Sequence, residues 1–420
     1  MIWRPEASAV GDQTAADHSL AAACRSTVVW GAVRLLLDYR PALRERTGVG
    51  EFVHQLARAL AAGTDQVTVF SASWKDRIDP RDAAELGEAR IIDKRIPVRL
   101  LNLAWLRAGW PPVERLCRQS FDVVHSPIPV GLPTRNAASV ITVHDLDFLD
   151  HPERAWAEMR RDYPGAVRVG ASRADAVVVP SRYTAEQVVA RLGVSADRLF
   201  VCPHGLPPGW TDNLPSAAPL FDRPAGKHLL FVGTLTARKN VNGLLDAYQR
   251  VVAQAPGAPP LVMAGGSRPE AAGWLERIGA PPLAGRVHHV GYVTGERRRT
   301  LYLEATMLVL PSFDEGFGLP VLEAMALGIP VVVSNRGALP EVVGNAGLLV
   351  DPGQPDQIAD AMLRLLADPF LAAGLGSAGR ERARAYSWKR TAELVREAYA
   401  CALARRAART GRGARGRFSA

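Results

Sequence analysis

The sequence predicts an α/β protein of two doubly wound, Rossmann-like domains facing each other across a cleft. Three observations carry this expectation. The chain has 420 residues, too many for one ordinary core at roughly 100–200 residues per domain. Short, continuous apolar runs alternate with amphipathic helical patterns, as buried parallel strands and their crossover helices do. A stretch rich in proline, glycine and alanine at 206–226 divides that alternation into two halves.

In the first half the strand-like runs fall at 32–37, 67–70, 122–125, 140–144, 176–180 and 199–202. Between them, Val49, Phe52, Val53, Leu56 and Leu60 recur at helical spacing. In the second half the runs fall at 229–232, 261–264, 287–290, 307–310, 331–333 and 348–350. Parallel strands joined this way form right-handed βαβ units. Ligands of such open sheets sit beyond the carboxyl ends of the strands, so two facing sheets place a ligand between them.

Composition narrows the function classes. The chain is 48% hydrophobic and 22% charged, as soluble globular proteins are. No apolar run approaches the roughly 18 residues of a membrane span. The first 25 residues lack the basic start and apolar core of a secretory signal, so residues 1–26 read as a disordered extension. Cys24, Cys117, Cys202 and Cys401 are scattered, which suggests neither a zinc site nor a disulfide framework and fits a reducing cytoplasm. The net charge is +9, and the six arginines of residues 405–420, a run without acids, supply most of it. That tail reads as disordered and solvated, with an RNA or acidic-membrane contact as the alternative. The segment 94–110 mixes Lys94, Arg95, Arg99 and Arg107 with Ile96, Leu100, Leu101, Leu103, Trp105, Leu106 and Trp110. It reads either as an interfacial helix docking on anionic lipid or as a core-facing helix with a basic rim.

The densest chemistry lies at 311–331. Here Glu315-Gly-Phe-Gly-Leu-Pro follows a buried strand and opens a helix. Gly316 and Gly318 let the backbone turn sharply and approach a ligand. Pro320 suits a first helical turn, where its missing N–H costs nothing. The helix N-terminus offers unpaired N–H groups and the positive end of the macrodipole, a seat for a diphosphate. Glu315 and Glu323 flank this turn, with seven residues between them, and carboxylates accept well from sugar hydroxyls.

This stretch resembles the E-x7-E signature of family 4 retaining glycosyltransferases, which have the GT-B fold. The resemblance implies that Glu315 contacts the donor sugar, that Glu323 contacts the ribose, and that the backbone of Gly316, Phe317, Gly318 and Leu319 approaches the diphosphate or sugar. It extends from about residue 34 to 405. Leu229-Leu-Phe-Val-Gly-Thr-Leu-Thr-Ala-Arg-Lys matches the segment in which an arginine and a lysine grip the diphosphate, here Arg238 and Lys239, with Gly233 and Thr234 near the nucleotide. Thr47-Gly-Val-Gly-Glu-Phe resembles the family's Gly-rich loop, which implies donor contacts at Gly48 and Gly50; Arg40, Arg44 and Arg46 precede it. Thr142-Val-His-Asp resembles a T-x-H-D segment and places His144 near the reaction centre. His125 either shapes the acceptor pocket or is structural. The loop at Tyr292 and Val293 implies contact with the base. Asp145-Leu-Asp147 spells the metal motif of the other large glycosyltransferase fold; the two-domain pattern argues against that reading, so no metal and no cofactor are expected.

The resemblance also sets the expected divisions. They are an N-terminal Rossmann-like domain at 27–210, a linker at 211–226, a nucleotide-sugar domain at 227–385, a helix at 386–404 crossing back to the first domain, and the tail from 405. It implies a hexosyltransferase that uses a nucleotide diphosphate sugar, nearest to bacterial mannosyltransferases and so to GDP-mannose, and a glycan or lipid-linked acceptor. The protein would be cytoplasmic, with peripheral contact at the inner face of an anionic membrane as the alternative location. Nucleic acid is not an expected partner. A sugar-nucleotide epimerase of the same fold, or a non-catalytic nucleotide-sugar-binding protein, are the rival readings.

Overall fold

The computed structural model describes residues 31–43, 46, 48–151, 163–212 and 228–410. The extension at 1–26, Arg44, Thr47, the linker from 213 and the last ten residues lie outside the described residues.

The first sheet contains β1 (Arg34–Asp38), β2 (Gln66–Ala72), β3 (Arg90–Lys94), β4 (Val123–Ser126), β5 (Ala138–Thr142), β6 (Ala176–Val179) and β7 (Leu199–Val201). Their spatial order is β3-β2-β1-β4-β5-β6-β7, and every pair is parallel. The second sheet contains β8 (His228–Val232), β9 (Leu261–Ala264), β10 (Val287–Gly291), β11 (Ala305–Leu310), β12 (Val331–Ser334) and β13 (Leu348–Val350). Its order is β10-β9-β8-β11-β12-β13, again parallel throughout. Each expected apolar run lies on one of these strands. The exception to legibility is β3, whose Arg-Ile-Ile-Asp-Lys sequence is an exposed edge strand carrying charge at both ends, as edges do to resist pairing.

In both sheets the strand order reverses once, at β1/β4 and at β8/β11. Connections leave in opposite directions there and open a crevice beyond the strand ends. The connections after β1, β8 and β11 therefore converge on ligand space, and they hold Gly48, Lys239 and Glu315.

The return of the chain to the first domain is physical. Helix Trp388–Arg409 buries Trp388, Val395, Ala398, Tyr399 and Ala402 in one core with Leu35, Phe52, Val140 and Val178. Each large apolar side chain buried this way contributes roughly 1.5–3 kcal/mol. Within that core Tyr399 bonds Nδ1 of His125 (2.8 Å), and His125 Nε2 meets the Thr142 hydroxyl at 2.8 Å. His125 is thus a satisfied core group. Two expectations change. The helix runs through Arg405 to Arg409, where Arg405 pairs with Asp197 and Arg409 with Asp175 (2.8 Å), so the basic tail does not begin at 405. Trp210, expected in the first domain, packs in the core of the second.

Candidate active site

Between the sheets lies a cleft of about 630 Å³. Its C-terminal wall is built from turns that glycine makes possible. After β8 the chain passes Gly233 and Thr234 into the single turn Ala237–Lys239. A Cβ on Gly233 would stand 3.2 Å from Lys239 Cε, so the lysine packs closely over this turn. Asn240, at φ 54°, starts helix Val241–Gln254 and accepts from Gly243 N (3.2 Å). The Arg238–Lys239 pair is thereby pinned at a helix start.

After β11, Glu315 is buried among cations. Its carboxylate meets Lys239 Nζ, and Arg238 Nη1 at 3.3 Å. Arg238 also donates to the Asp314 carbonyl (2.7 Å). Burial by itself would push the Glu315 carboxyl up, but the charges of Lys239 and Arg238 overcome it and bring it down to about 2. Glu323 is equally buried and has one cation, Arg298, at 3.1 Å. Here burial wins, and the carboxyl stays above its ordinary value. Gly318, at φ 106°, precedes helix Leu319–Ala326, whose N-terminus opens on the cleft.

The N-terminal wall includes Arg46, Glu51, Asp145 and Asp147 at the cleft, and a cluster of rings around His144. His144 lies two residues beyond β5, edge-on to Phe52 (4.8 Å) and 5.6 Å from the ring of His204. Its Nε2 is 3.1 Å from the Pro127 carbonyl. A carbonyl only accepts, so Nε2 carries the proton and Nδ1 is left as an acceptor. Burial lowers its pKa to about 4, with Asp145 opposing weakly, so the ring is neutral near pH 7.

The two walls touch. A Cβ on Gly316 would fall 1.8 Å from the His144 carbonyl, so no other residue permits this approach. The Gly316 carbonyl accepts from Ser181 (2.8 Å) and Thr184 (3.2 Å). Glu341 of the second domain accepts from Arg182 N (2.9 Å) at the start of helix Arg182–Leu192 of the first, a favourable place for a carboxylate. Tyr292 donates to the Arg46 carbonyl (3.1 Å).

Of the residues expected from sequence, His144, Arg238, Lys239, Glu315, Gly48, Gly233, Thr234, Val293, Gly316, Phe317, Gly318, Leu319 and Glu323 all line this cleft. Gly50 does not. The expected Gly-rich loop is the first turn of helix Gly48–Ala61, and Gly50 faces inward, where a Cβ would sit 3.1 Å from the Pro41 carbonyl. Asp145 and Asp147 line the cleft, but no group of three metal-ligating side chains occurs among the described residues.

Sequence reasoning missed Arg298, Glu51 and His204. Arg298 belongs to the run Arg297-Arg298-Arg299 on helix Gly295–Leu303. Only helical phase, which sets it one turn before the buried Tyr302, distinguishes it from its neighbours. His204 follows β7, at the carboxyl edge of the sheet where the same logic selected His144. It is buried, stacks on Trp388 (5.8 Å), and neither ring nitrogen has a hydrogen-bond partner among the described residues.

Comparison with known proteins gives a consistent picture. Residues 46–209 match the family described as Glycosyltransferase Family 4, and residues 226–368 match Glycosyl transferases group 1. The chain is 28% identical over 385 residues to O-antigen chain mannosyltransferase B of Escherichia coli, covering 87% of this chain and 99% of that one. It is 33% identical over 422 residues to the D-inositol 3-phosphate glycosyltransferase of Xylanimonas cellulosilytica, covering 88% and 95%. Among solved structures, sucrose-phosphate synthase of Thermosynechococcus elongatus aligns with a TM-score of 0.68 at 26% identity, covering 87% of this chain and 98% of that one. Anabaena HepE in complex with UDP and glucose aligns at 0.66 and 17% identity, covering 87% and 98%, a likeness of GT-B fold.

Proposed function

The chain belongs to the family 4, group 1 glycosyltransferases, and on that premise we propose that it moves mannose from GDP-mannose to a hydroxyl of a glycan or lipid-linked acceptor, retaining the anomeric configuration. The reading places it in the cytoplasm, in peripheral contact with the inner face of the membrane. The observation that supports it most is the buried trio of Glu315, Lys239 and Arg238 at the β8/β11 switch point, with neutral His144 on the facing wall.

In this reading the donor diphosphate lies against Arg238, Lys239 and the N-terminus of helix 319–326. Charge builds on the leaving phosphate as the glycosidic bond breaks. Cations held in place stabilise that state more than the ground state. Glu315 accepts from sugar hydroxyls, Glu323 from the ribose, and His144 Nδ1 from a hydroxyl on the opposite side. A retaining glycosidase would need two carboxyls about 5–5.5 Å apart at the scissile bond; the resemblance to retaining family 4 enzymes implies no such pair here. In this reading the acceptor oxygen attacks C1 on the face the phosphate leaves. The C1–O bond to phosphate breaks, the bond to the acceptor forms, and the acceptor proton passes to the departing phosphate oxygen. No enzyme nucleophile, metal ion or cofactor takes part.

The match to a mannosyltransferase along nearly its whole length supports mannose. The higher identity to a D-inositol 3-phosphate glycosyltransferase supports a second reading, in which the acceptor is a phosphorylated inositol. A thermal-shift screen against GDP-mannose, UDP-glucose, UDP-N-acetylglucosamine and dTDP-sugars tests the donor. GDP-mannose should give the largest shift; a larger shift with a UDP-sugar overturns the assignment. Retention is checked by the anomeric signal of the first-formed product.

A further inference from the structure

A second, smaller cavity of about 260 Å³ lies beside the catalytic cleft. Asp145 and Asp147 line both, so the two spaces adjoin at the connection that follows β5. One wall is helix Arg182–Leu192 of the first domain. It contributes Tyr183, Gln187 and Arg191, which are four residues apart and so share one helix face. The other wall is the loop after β11. That loop sends consecutive side chains to different places: Glu315 to the cleft, Phe313 and Asp314 to the cavity. The walls are tied together. Tyr183 donates a side-chain hydrogen bond to Asp314 across the domain boundary, and Glu341 caps the helix that carries Tyr183. Phe313 N donates to the Arg238 carbonyl (2.8 Å), which fixes the loop to the residue that grips the diphosphate in the proposed reading.

The lining suits a carbohydrate. A sugar ring has an apolar C–H face and a rim of hydroxyls. Phe313 is 42% exposed and gives the first a flat apolar surface. The carboxylates of Asp145, Asp147 and Asp314 accept from the second, and the Gln187 amide both donates and accepts. Charge then sorts the ligands. Arg191 is the one lysine or arginine among the described lining residues, and Asp150 holds it through two bonds (2.9 and 2.5 Å). Three aspartates remain in the lining, so a phosphorylated ring meets like charge there and a neutral ring does not. Size narrows the ligand further. The cavity is smaller than the roughly 300 Å³ at which pockets for drug-sized ligands begin, so it admits one ring and not an oligosaccharide.

We propose that this cavity holds one neutral hexose unit of a glycan acceptor, the unit adjoining the one whose hydroxyl attacks in the cleft. Phe313 stacks on the ring, and Asp314 and Gln187 bind its hydroxyls from opposite walls. The acceptor is thereby anchored through a part that does not react, and such remote binding orients the hydroxyl that does. Because the cavity lies between the domains, it is complete only when both walls are in place. The inference rests on the glycan-acceptor part of the functional reading, and it argues against a phosphorylated inositol at this site.

The test is calorimetric titration of the full chain, with and without the nucleoside diphosphate of the donor that gives the largest thermal shift. The ligands are methyl α-mannoside, the linkage isomers of α-mannobiose, and myo-inositol phosphate. At least one mannobiose should bind about tenfold more tightly than methyl α-mannoside. Phe313→Ala and Gln187→Ala, on opposite walls, should each remove most of that advantage. Binding of myo-inositol phosphate should not change in Phe313→Ala. Both variants should keep the wild-type thermal shift with donor, which shows that the fold and the cleft are intact. Mannobioses that bind no more tightly than methyl α-mannoside overturn the subsite, as does an advantage that survives either substitution. Weakened binding of myo-inositol phosphate in Phe313→Ala overturns the choice of a neutral ring. Any of these results with the donor shift retained fails the subsite alone; absence of a shift with every sugar nucleotide fails the donor reading instead.

Discussion

On the C-terminal wall of the cleft, Glu315 meets Lys239 and Arg238, and Glu323 meets Arg298. On the N-terminal wall, the neighbours of His144 are the rings of Phe52 and His204. The difference separates two tasks. Charged groups in a partly dehydrated site interact strongly with a charged ligand, and pairs formed in its absence must exchange partners when it arrives. The rings packed around His144 have no such exchange to make; they set shape and exclude water. On the proposed reading the C-terminal wall is therefore where binding energy becomes stabilisation of the leaving phosphate, and the N-terminal wall positions what reacts.

Removing charge from the ionic wall should have the largest effect. Glu315→Ala or Lys239→Ala should lower kcat/KM at least about a thousandfold, with circular dichroism unchanged; near wild-type turnover by both would refute the assignment. Forcing the walls apart comes next. Gly316→Ala, with its Cβ meeting the His144 carbonyl, should lower transfer by about a hundredfold while the isolated second domain's contacts to nucleotide persist, seen as a KM change smaller than the loss in kcat.

Glu315→Gln sharpens the comparison in the other direction. Glu315 pairs with the cations expected to hold the diphosphate. Neutralising it should tighten binding of free nucleoside diphosphate by about three- to tenfold although transfer is lost. Calorimetric titration that found unchanged or weaker binding would show that the Glu315 pairs do not compete with the ligand.

The smallest effect belongs to the rings around His144 and concerns pH. The folded state holds His144 at about 4, and burial places His204 well below its ordinary value, whereas both titrate near 6.5 when unfolded. Above that value both states are neutral and nothing is contributed. As pH falls from about 6.5 to 4 the unfolded chain takes up protons first, and stability is lost. His204→Phe should reduce that loss by on the order of 1 kcal/mol, read from urea midpoints at pH 7 and pH 4.5. A pH slope equal to wild type would mean that His204 becomes protonated in place.

The legible parts of the site are those where residue type and strand position coincide. Glu315, Arg238 and His144 each lie just beyond an apolar run, where open sheets bind ligands. Gly50 was misread because a G-x-G looks the same in a loop and on a first helical turn; only its contact with the Pro41 carbonyl shows it facing inward. Arg298 was not found because three adjacent arginines are equivalent until a helix gives each a direction. The edge strand β3 escaped because its charges break the apolar pattern that marks its buried neighbours.

By itself the sequence determined the two parallel sheets and the glycine-bounded turn after β11, since buried strands need apolar runs and such turns need glycine wherever they occur; the reaction class was legible through the resemblance of its motifs to a known family. The tertiary structure alone decided which cation meets which glutamate, that Gly316 is the point of contact between domains, and that His125 is core while His144 faces the cleft. Those facts depend on distances between residues far apart in the chain, and burial and Coulomb interaction act through distance in space, to which order along the chain is blind.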